Sequence, residues 1–176
     1  LWIKDLPNGT PRRLTRQSDH FELYPAWSRD GRSIVYTTWD DEDLGAIRVI
    51  PAGGGESRVV TSNPGHYIEP TFSPDGRTIA VWGVDHLTPD DPTAGVANVG
   101  VLDAQFGASN ERIYFTGRVE RNSALKSVDL GGHDERVHLT SEWAAEYVLS
   151  PDERWIAWTE RFNAFVAPFA RTGRPV

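Results

Sequence analysis

The sequence predicts an all-β chain folded as a β-propeller of four-stranded antiparallel blades, about four of them, in an incomplete propeller. Three observations carry this reading. One motif recurs at blade spacing, a second marker recurs out of phase with it, and no segment sustains helical periodicity.

The motif is Tyr24-Pro-Ala-Trp-Ser-Arg-Asp-Gly-Arg-Ser-Ile-Val-Tyr36, repeated as Glu69-Pro-Thr-Phe-Ser-Pro-Asp-Gly-Arg-Thr-Ile-Ala-Val81 and Glu146-Tyr-Val-Leu-Ser-Pro-Asp-Glu-Arg-Trp-Ile-Ala-Trp158. Asp103-Ala-Gln-Phe-Gly-Ala-Ser-Asn-Glu-Arg-Ile-Tyr-Phe115 is a degenerate copy. Aligning Ser28, Ser73, Gly107 and Ser150 gives spacings of 45, 34 and 43 residues. The second marker is Arg13-Leu14-Thr15, Val59-Val60-Thr61 and His138-Leu139-Thr140, with gaps of 46 and 79, the latter near two periods. Ser-x-Asp-Gly reads as a hairpin turn, because Gly accepts the positive φ that closes it. An apolar strand stands on each side of that turn, and a third, alternating strand and a short fourth complete the blade.

The elements follow in order. Residues 1–15 read as the two outer strands of a blade whose inner half is missing. The blades are then expected at about 20–61, 66–102, 103–140 and 143–176. The second unit is short, so it is expected to lack its outer strand, and Val84–Asn98, rich in Pro and Asp, reads as an exposed loop. In the third, Ala108-Ser-Asn-Glu111 replaces the turn without Pro or Gly. In the fourth, Glu153 stands where Gly belongs, at a cost if φ stays positive there, and Phe162–Phe169 offers a third strand. An open arc of blades leaves strand edges that demand partners, so another domain or a second copy is expected to complete the propeller.

Composition excludes several functions. The 176 residues carry 18 Lys and Arg against 25 Asp and Glu, a net charge of −7. An acidic chain is a poor nucleic-acid binder, since phosphate binding needs a basic surface. No apolar run reaches the ~18–20 residues that span a bilayer as a helix, so membrane insertion is not expected. The absence of Cys excludes disulfides, zinc thiolates and a thiol nucleophile. The absence of Met and the start at Leu1 suggest a chain that is not a primary translation product.

Tyr-Pro-Ala-Trp-Ser-Arg-Asp-Gly, Ser-Pro-Asp-Gly-Arg-Thr-Ile-Ala and the opening Leu-Trp-Ile-Lys-Asp-Leu-Pro-Asn-Gly-Thr-Pro-Arg-Arg-Leu-Thr resemble TolB-type propeller repeats. Residues 109–176, especially His133-Asp-Glu-Arg-Val-His-Leu-Thr140, look most like the propellers that precede amidohydrolase domains. That resemblance implies an extracytoplasmic, non-catalytic module that binds or gates substrates for a metal-dependent hydrolase. The alternative is a protein-interaction scaffold of the cell envelope, as in TolB. The five His never form His-x-His, and neither Gly-x-Ser-x-Gly nor His-Glu-x-x-His occurs, so any hydrolytic chemistry is expected outside these residues.

One constellation emerges from the register. Four residues before the aligned Ser or Gly stand Tyr24, Glu69, Asp103 and Glu146, and strict strand alternation turns them, with Ala26, Thr71, Gln105 and Val148, toward the channel. These four, with His20 and His66 just upstream, are the binding candidates at an acidic channel mouth, suited to a cation or a basic group. No organic cofactor is expected, and no metal set is specified. Asp40-Asp-Glu-Asp43 lacks calcium-loop spacing and reads as a solvated hairpin tip. Trp27 and Trp158 are expected in the core between blades, and Trp39, Trp82 and Trp143 near strand ends.

Overall fold

The computed structural model describes residues 1–85 and 102–175, with backbone only for 82–85 and 102. Among the described residues every regular element is a strand. In chain order these are β1 (Trp2–Ile3), β2 (Arg12–Arg13), β3 (Phe21–Trp27), β4 (Ser33–Trp39), β5 (Ala46–Pro51), β6 (Arg58–Val59), β7 (Gly65–Phe72) and β8 (Ile79–Asp85). There follow β9 (Leu102–Phe106), β10 (Arg112–Val119), β11 (Asn122–Asp129), β12 (Arg136–Ser141), β13 (Ala144–Leu149), β14 (Trp155–Glu160), β15 (Asn163–Pro168) and β16 (Arg174–Pro175). The chain divides into two compact units, one holding β1–β8 and the other β9–β16. The segment expected as a loop at 84–98 lies almost wholly outside the described residues, as does the question of an outer strand there.

In the first unit, β3-β4-β5-β6 form one antiparallel sheet, β7 pairs with β8, and β1 pairs with β2 as Trp2↔Arg13 and Ile3↔Arg12. The period of two in β4 gives the central sheet two apolar faces. Ile34, Tyr36 and Ile50 cluster with Leu14, Leu1 and Ile3, so the β1–β2 hairpin covers one face. Val35, Ile47 and Val49 cluster with Tyr67, Phe72, Ile79 and Val81, so the β7–β8 hairpin covers the other. Each fully buried side chain of this size contributes roughly 1.5–3 kcal/mol relative to exposure, which makes stacking on both faces the main source of stability.

The second unit contains the sheets β16-β12-β11-β10-β9 and β13-β14-β15. Their shared core is Tyr114 and Leu125 against Ala144, Tyr147, Leu149 and Ile156, with Trp158 and Phe169 packed on it. One boundary needs correction. The last strand within 143–176 does not join the sheet of β13–β15, since β16 crosses to β12 (Arg136↔Pro175, Val137↔Arg174).

The Ser-x-Asp-Gly motif folds as expected, and its chemistry is explicit. Gly31 and Gly76 both sit at φ 70°, and Gly31 N–H donates to Ser28 O at 2.9 Å. Ser28, Ser73 and Ser150 hydroxyls donate to Asp30, Asp75 and Asp152 at 2.7, 2.7 and 2.6 Å. In return Ser28 Oγ accepts from Ser33 N–H and Asp30 Oδ1 accepts from Arg32 N–H, at 2.9 and 3.0 Å. The motif is therefore a self-contained hydrogen-bonded cap on a hairpin. The acidic tip is likewise a turn: Asp40 Oδ1 accepts from Glu42 and Asp43 N–H at 2.8 and 2.9 Å, which lowers the Asp40 pKa.

Candidate functional site

The four residues aligned at the candidate mouth share a backbone feature that the alternation argument did not anticipate. Tyr24, Glu69, Asp103 and Glu146 all adopt positive φ, at 51°, 52°, 57° and 55°. Each opens a β-bulge in the innermost strand of its sheet. Leu23 faces Thr37 and Ala26 faces Val35, leaving Tyr24 and Pro25 opposite Tyr36 alone. The same step occurs between Ile68 and Thr71, between Ala145 and Val148, and across β9 where Gln105 faces Tyr114 but Leu102 faces Thr116. A bulge whose first residue is left-handed ordinarily carries Gly, since a Cβ there costs about 1–2 kcal/mol. Here Tyr, Glu, Asp and Glu occupy it, in four sheets at one repeat position.

Threonines of the second strand brace the bulges. Thr37 Oγ1 donates to Leu23 O and Thr159 Oγ1 to Ala145 O, both at 3.3 Å. Thr116 Oγ1 donates to Asp103 Oδ2, and Thr159 shares its one hydroxyl hydrogen between Ala145 O and Glu146 Oε2, all at 3.3 Å. Two of the candidate carboxylates are thus hydrogen-bonded within their own sheets. Tyr24 and Glu69 stand at equivalent registers on β3 and β7 of the first unit, and Asp103 and Glu146 on β9 and β13 of the second.

The bulge also corrects the expected facing of the neighbouring residues. Ala26 packs in the cluster shared with β7–β8, on the sheet face rather than toward a channel. Gln105 reaches the adjacent sheet: its Nε2 donates to Tyr147 O at 2.8 Å, and its Oε1 accepts from Leu149 N–H at 2.9 Å. In stacked sheets both faces of a strand meet neighbours, so alternation sorts residues between two neighbours, not between a core and a channel. Trp27, expected in the core, is 53% exposed, whereas Trp158 packs in its cluster and stacks on Phe165 with centroids 5.5 Å apart.

The two histidines do not converge on a metal site. His20 Nδ1 pairs with Asp19 at 2.9 Å, and exposed His66 meets the Trp39 ring edge-on at 5.1 Å. Among the described residues no group of three or more His, Asp or Glu is arranged to hold a metal ion. Trp143 is exposed, with the Arg161 guanidinium 5.0 Å from its ring centroid.

Sequence reasoning missed a buried polar cluster in the second unit. Glu153, in the Gly position of its turn at φ 53°, is only 5% exposed. Its carboxylate pairs with Arg171 Nε at 2.8 Å and bonds the Tyr114 hydroxyl. Burial, with the Glu153 charge beside it, pushes the Tyr114 pKa up to about 12. A Cβ on Gly107 would lie 1.7 Å from Glu153 Oε1, so Glu153 occupies space that only glycine leaves. Below it, Ser127 Oγ meets His138 Nε2 at 2.8 Å and accepts from Arg112 Nε at 2.9 Å. The available signal was the pair of departures themselves: Gly107 where Ser recurs and Glu153 where Gly recurs.

Stacked antiparallel sheets, each opened by an inner hairpin with the same turn and the same bulge, define a β-propeller repeat protein. The particular likeness is to TolB. The chain overlays TolB from Acinetobacter baumannii with a TM-score of 0.70 at 22% identity, over 98% of this chain and 46% of that one. It overlays a putative TolB from Agrobacterium tumefaciens at 0.65 and 16%, over 89% and 61%. A puromycin hydrolase structure matches at 0.55 and 17%, over 84% of this chain and 26% of that one. In sequence, 81 residues are 36% identical to the Tol-Pal system protein TolB of Francisella tularensis subsp. mediasiatica, spanning 46% of this chain and 18% of the relative. No family model matches the chain. The fold is therefore a TolB-like β-propeller, and the chain spans less than half of the TolB chains from Acinetobacter and Francisella.

Proposed function

We propose that the chain is a non-catalytic TolB-like propeller module that works by docking another β-sheet, carried on another domain or a second copy. One observation supports this above the rest. In the first unit, the sheet face bearing Ala26, Val35 and Val49 is covered by the β7–β8 hairpin through Phe72, Ile79 and Val81. In the β13–β15 sheet the equivalent face bears Val148, Ala157 and Val166, in the same register (Val148↔Ala157↔Val166), with Trp155 beside them. Val148, Val166 and Trp155 are 56%, 67% and 46% exposed. A face built like a covered one, yet open, is suited to an apolar hairpin of the β7–β8 kind.

Two settings fit such a module. The likeness to TolB supports an interaction scaffold of the cell envelope, and an extracytoplasmic location with it. The likeness to a puromycin hydrolase structure supports a propeller that gates substrate access within a larger hydrolase; an amidohydrolase-like parent rests on the sequence resemblance alone. The acidic bulge residues Glu69, Asp103 and Glu146 would then serve as polar contacts in either setting. Light scattering on the chain alone and after mixing with neighbouring parent sequence tests the reading. Association weakened at least tenfold by Val148→Lys with Val166→Lys supports it, while a monomer indifferent to both substitutions overturns it.

A further inference from the structure

After β15 the chain leaves its own sheet, and Phe169–Thr172 carries it to the outer edge of the neighbouring one, where β16 pairs with β12. We propose that Phe169–Pro175 is an acid-released strap, latched onto the β9–β12 sheet by the neutral imidazole of His138 and let go when that ring takes a proton.

Three residues of the strap, Phe169, Ala170 and Gly173, meet this one ring, and Phe169 N–H also donates to Arg154 O at 2.9 Å. Phe169 packs on His138 and on Tyr114, with centroids 5.2 and 5.6 Å away. Ala170 O lies 3.4 Å from His138 Nδ1. Gly173, at φ 50°, sits so close that a Cβ would be 2.8 Å from His138 Cε1. Further fastenings lie on either side: Arg171 Nε to Glu153 at 2.8 Å, Arg171 Nη2 to Asp152 O at 2.9 Å, and Arg136 Nη1 to Thr172 O at 3.2 Å.

The hydrogen bonds around the ring specify its neutral form. Ser127 is fully buried, and its Oγ accepts from Arg112 Nε, so its own hydrogen is free to go to His138 Nε2. Nε2 is then the acceptor, and the ring proton stands on Nδ1, facing Ala170 O. An imidazolium would present a second donor to Ser127 Oγ and strand the buried hydroxyl hydrogen without an acceptor. The charged surroundings point the same way. Arg112 from β10 and Arg136 from β12 face the ring with positive charge, Tyr114 from β10 is neutral, and Glu153 from the β13–β14 turn is the one opposing carboxylate, already paired with Arg171. Asp134 is engaged by both guanidiniums, Arg112 at 2.7 Å and Arg136 at 2.8 Å. Burial foremost holds the His138 pKa below the ordinary imidazole value; the Ala170 carbonyl works against it by favouring the charged ring, and the two arginines add to the depression.

The sign follows from that depression. The strap's docking is complete above the free imidazole value of ~6.5 and weakens as pH falls from there toward the depressed value, because only the released ring is readily protonated. Release frees the outer edge of β12 and removes one wall of the open pocket of ≈ 330 Å³ that Val137, Leu139 and Thr140 form with the strap residues Ala170 and Thr172.

Hydrogen exchange of the whole chain at about pH 7.5 and about pH 5, corrected for chemical exchange, reads the latch. The amides of Arg174 and Val137, which face each other across the β12–β16 ladder, should lose about tenfold of their protection at the lower pH while those of β10 and β11 keep theirs. His138→Phe, which cannot titrate, should hold the strap equally at both. His138→Gln, whose amide oxygen still accepts from Ser127, supplies the same comparison if the Phe variant misfolds. Equal strap protection at both pH values in the unaltered chain overturns the proposal. So does a loss that persists in both His138 variants, or one that Glu153→Gln alone abolishes.

Discussion

The turn that closes β3 and β4 and the turn that closes β13 and β14 have one shape and two different supports. In the first, Ser28, Asp30 and Gly31 satisfy one another locally, and Gly31 takes the positive φ without strain. In the second, Ser150 and Asp152 keep the same cap, but Glu153 is forced to φ 53°. Its side chain leaves the turn and fills the slot above Gly107 on the neighbouring sheet. The β9–β10 turn has lost the Ser and Asp of the motif altogether. The second unit has thus exchanged local hydrogen bonds for a contact between sheets. A departure from a repeat is not decay when two departures occupy each other's space.

The largest expected effect breaks that pair. Gly107→Ser restores the repeat residue yet places a Cβ on top of the Glu153 carboxylate, and should destabilise the chain by about 3 kcal/mol, the upper range of overpacking. Glu153→Gly removes the obstruction and the backbone strain together, so the double variant, which carries the repeat residue at both positions, should be more stable than Gly107→Ser alone. A double-mutant cycle by urea unfolding measures this. Additive costs would show the two departures to be independent.

A smaller effect sharpens the likeness between the units at their bulges. Because Glu146 pays left-handed strain for its place, Glu146→Gly should be neutral or stabilising by up to about 1 kcal/mol, even though the Thr159 contact is lost. Glu146→Val should cost about 1–2 kcal/mol, since a β-branched residue tolerates this φ worst. Thermal unfolding of the two variants separates them. The same order at Glu69 would show that backbone shape, and not charge, fixes this repeat position in both units.

These contrasts mark what could be read in the sequence. Ser28-Arg-Asp-Gly31 and its copies were legible because every hydrogen bond they need lies within six residues. The strands around them were legible because both faces are apolar. The bulges were not, because the residue types around Tyr24 and Glu69 fit an unbroken alternation. Pro25 and Pro70, one residue later, were the available warning, as Pro inside a strand belongs at a bulge or an edge. Trp27 was misplaced because a face can be apolar and still stand beside a short hairpin that leaves it open. The crossing of β16 left no mark, since two residues, Arg174 and Pro175, carry no periodicity. The Glu153 cluster needed two distant departures to be seen as one.

The smallest effect is a pH response that should appear in the local turns and be missing from the exchanged one. Asp30 is held down to about 2, first by the Ser28 hydroxyl and then by Arg32 N–H, and Asp152 is lowered by Ser150 and Arg154 N–H in the same way. A carboxylate whose pKa falls on folding contributes stability above its ordinary value and loses it as pH drops toward the folded value. The contribution of Asp30 is therefore complete near neutrality and should fade between its ordinary 3.8 and about 2. Both caps are open to solvent, so the loss is local fraying rather than unfolding. In the β9–β10 turn Ser109 stands where Asp30 does, and the one carboxylate there, Glu111, accepts from the Ser109 hydroxyl at 3.4 Å. In a Glu111→Gln chain, the background for this comparison, the amides of that turn should not respond. Amide shifts of Arg32, Arg154 and Arg112 followed by NMR from about pH 5 to about pH 2.5 test this, with Asp30→Asn as the control. Arg32 and Arg154 should move together and Arg112 should stay still. A common midpoint for all three would mean that acid opens the sheets as a whole, and that the local caps carry no separate share.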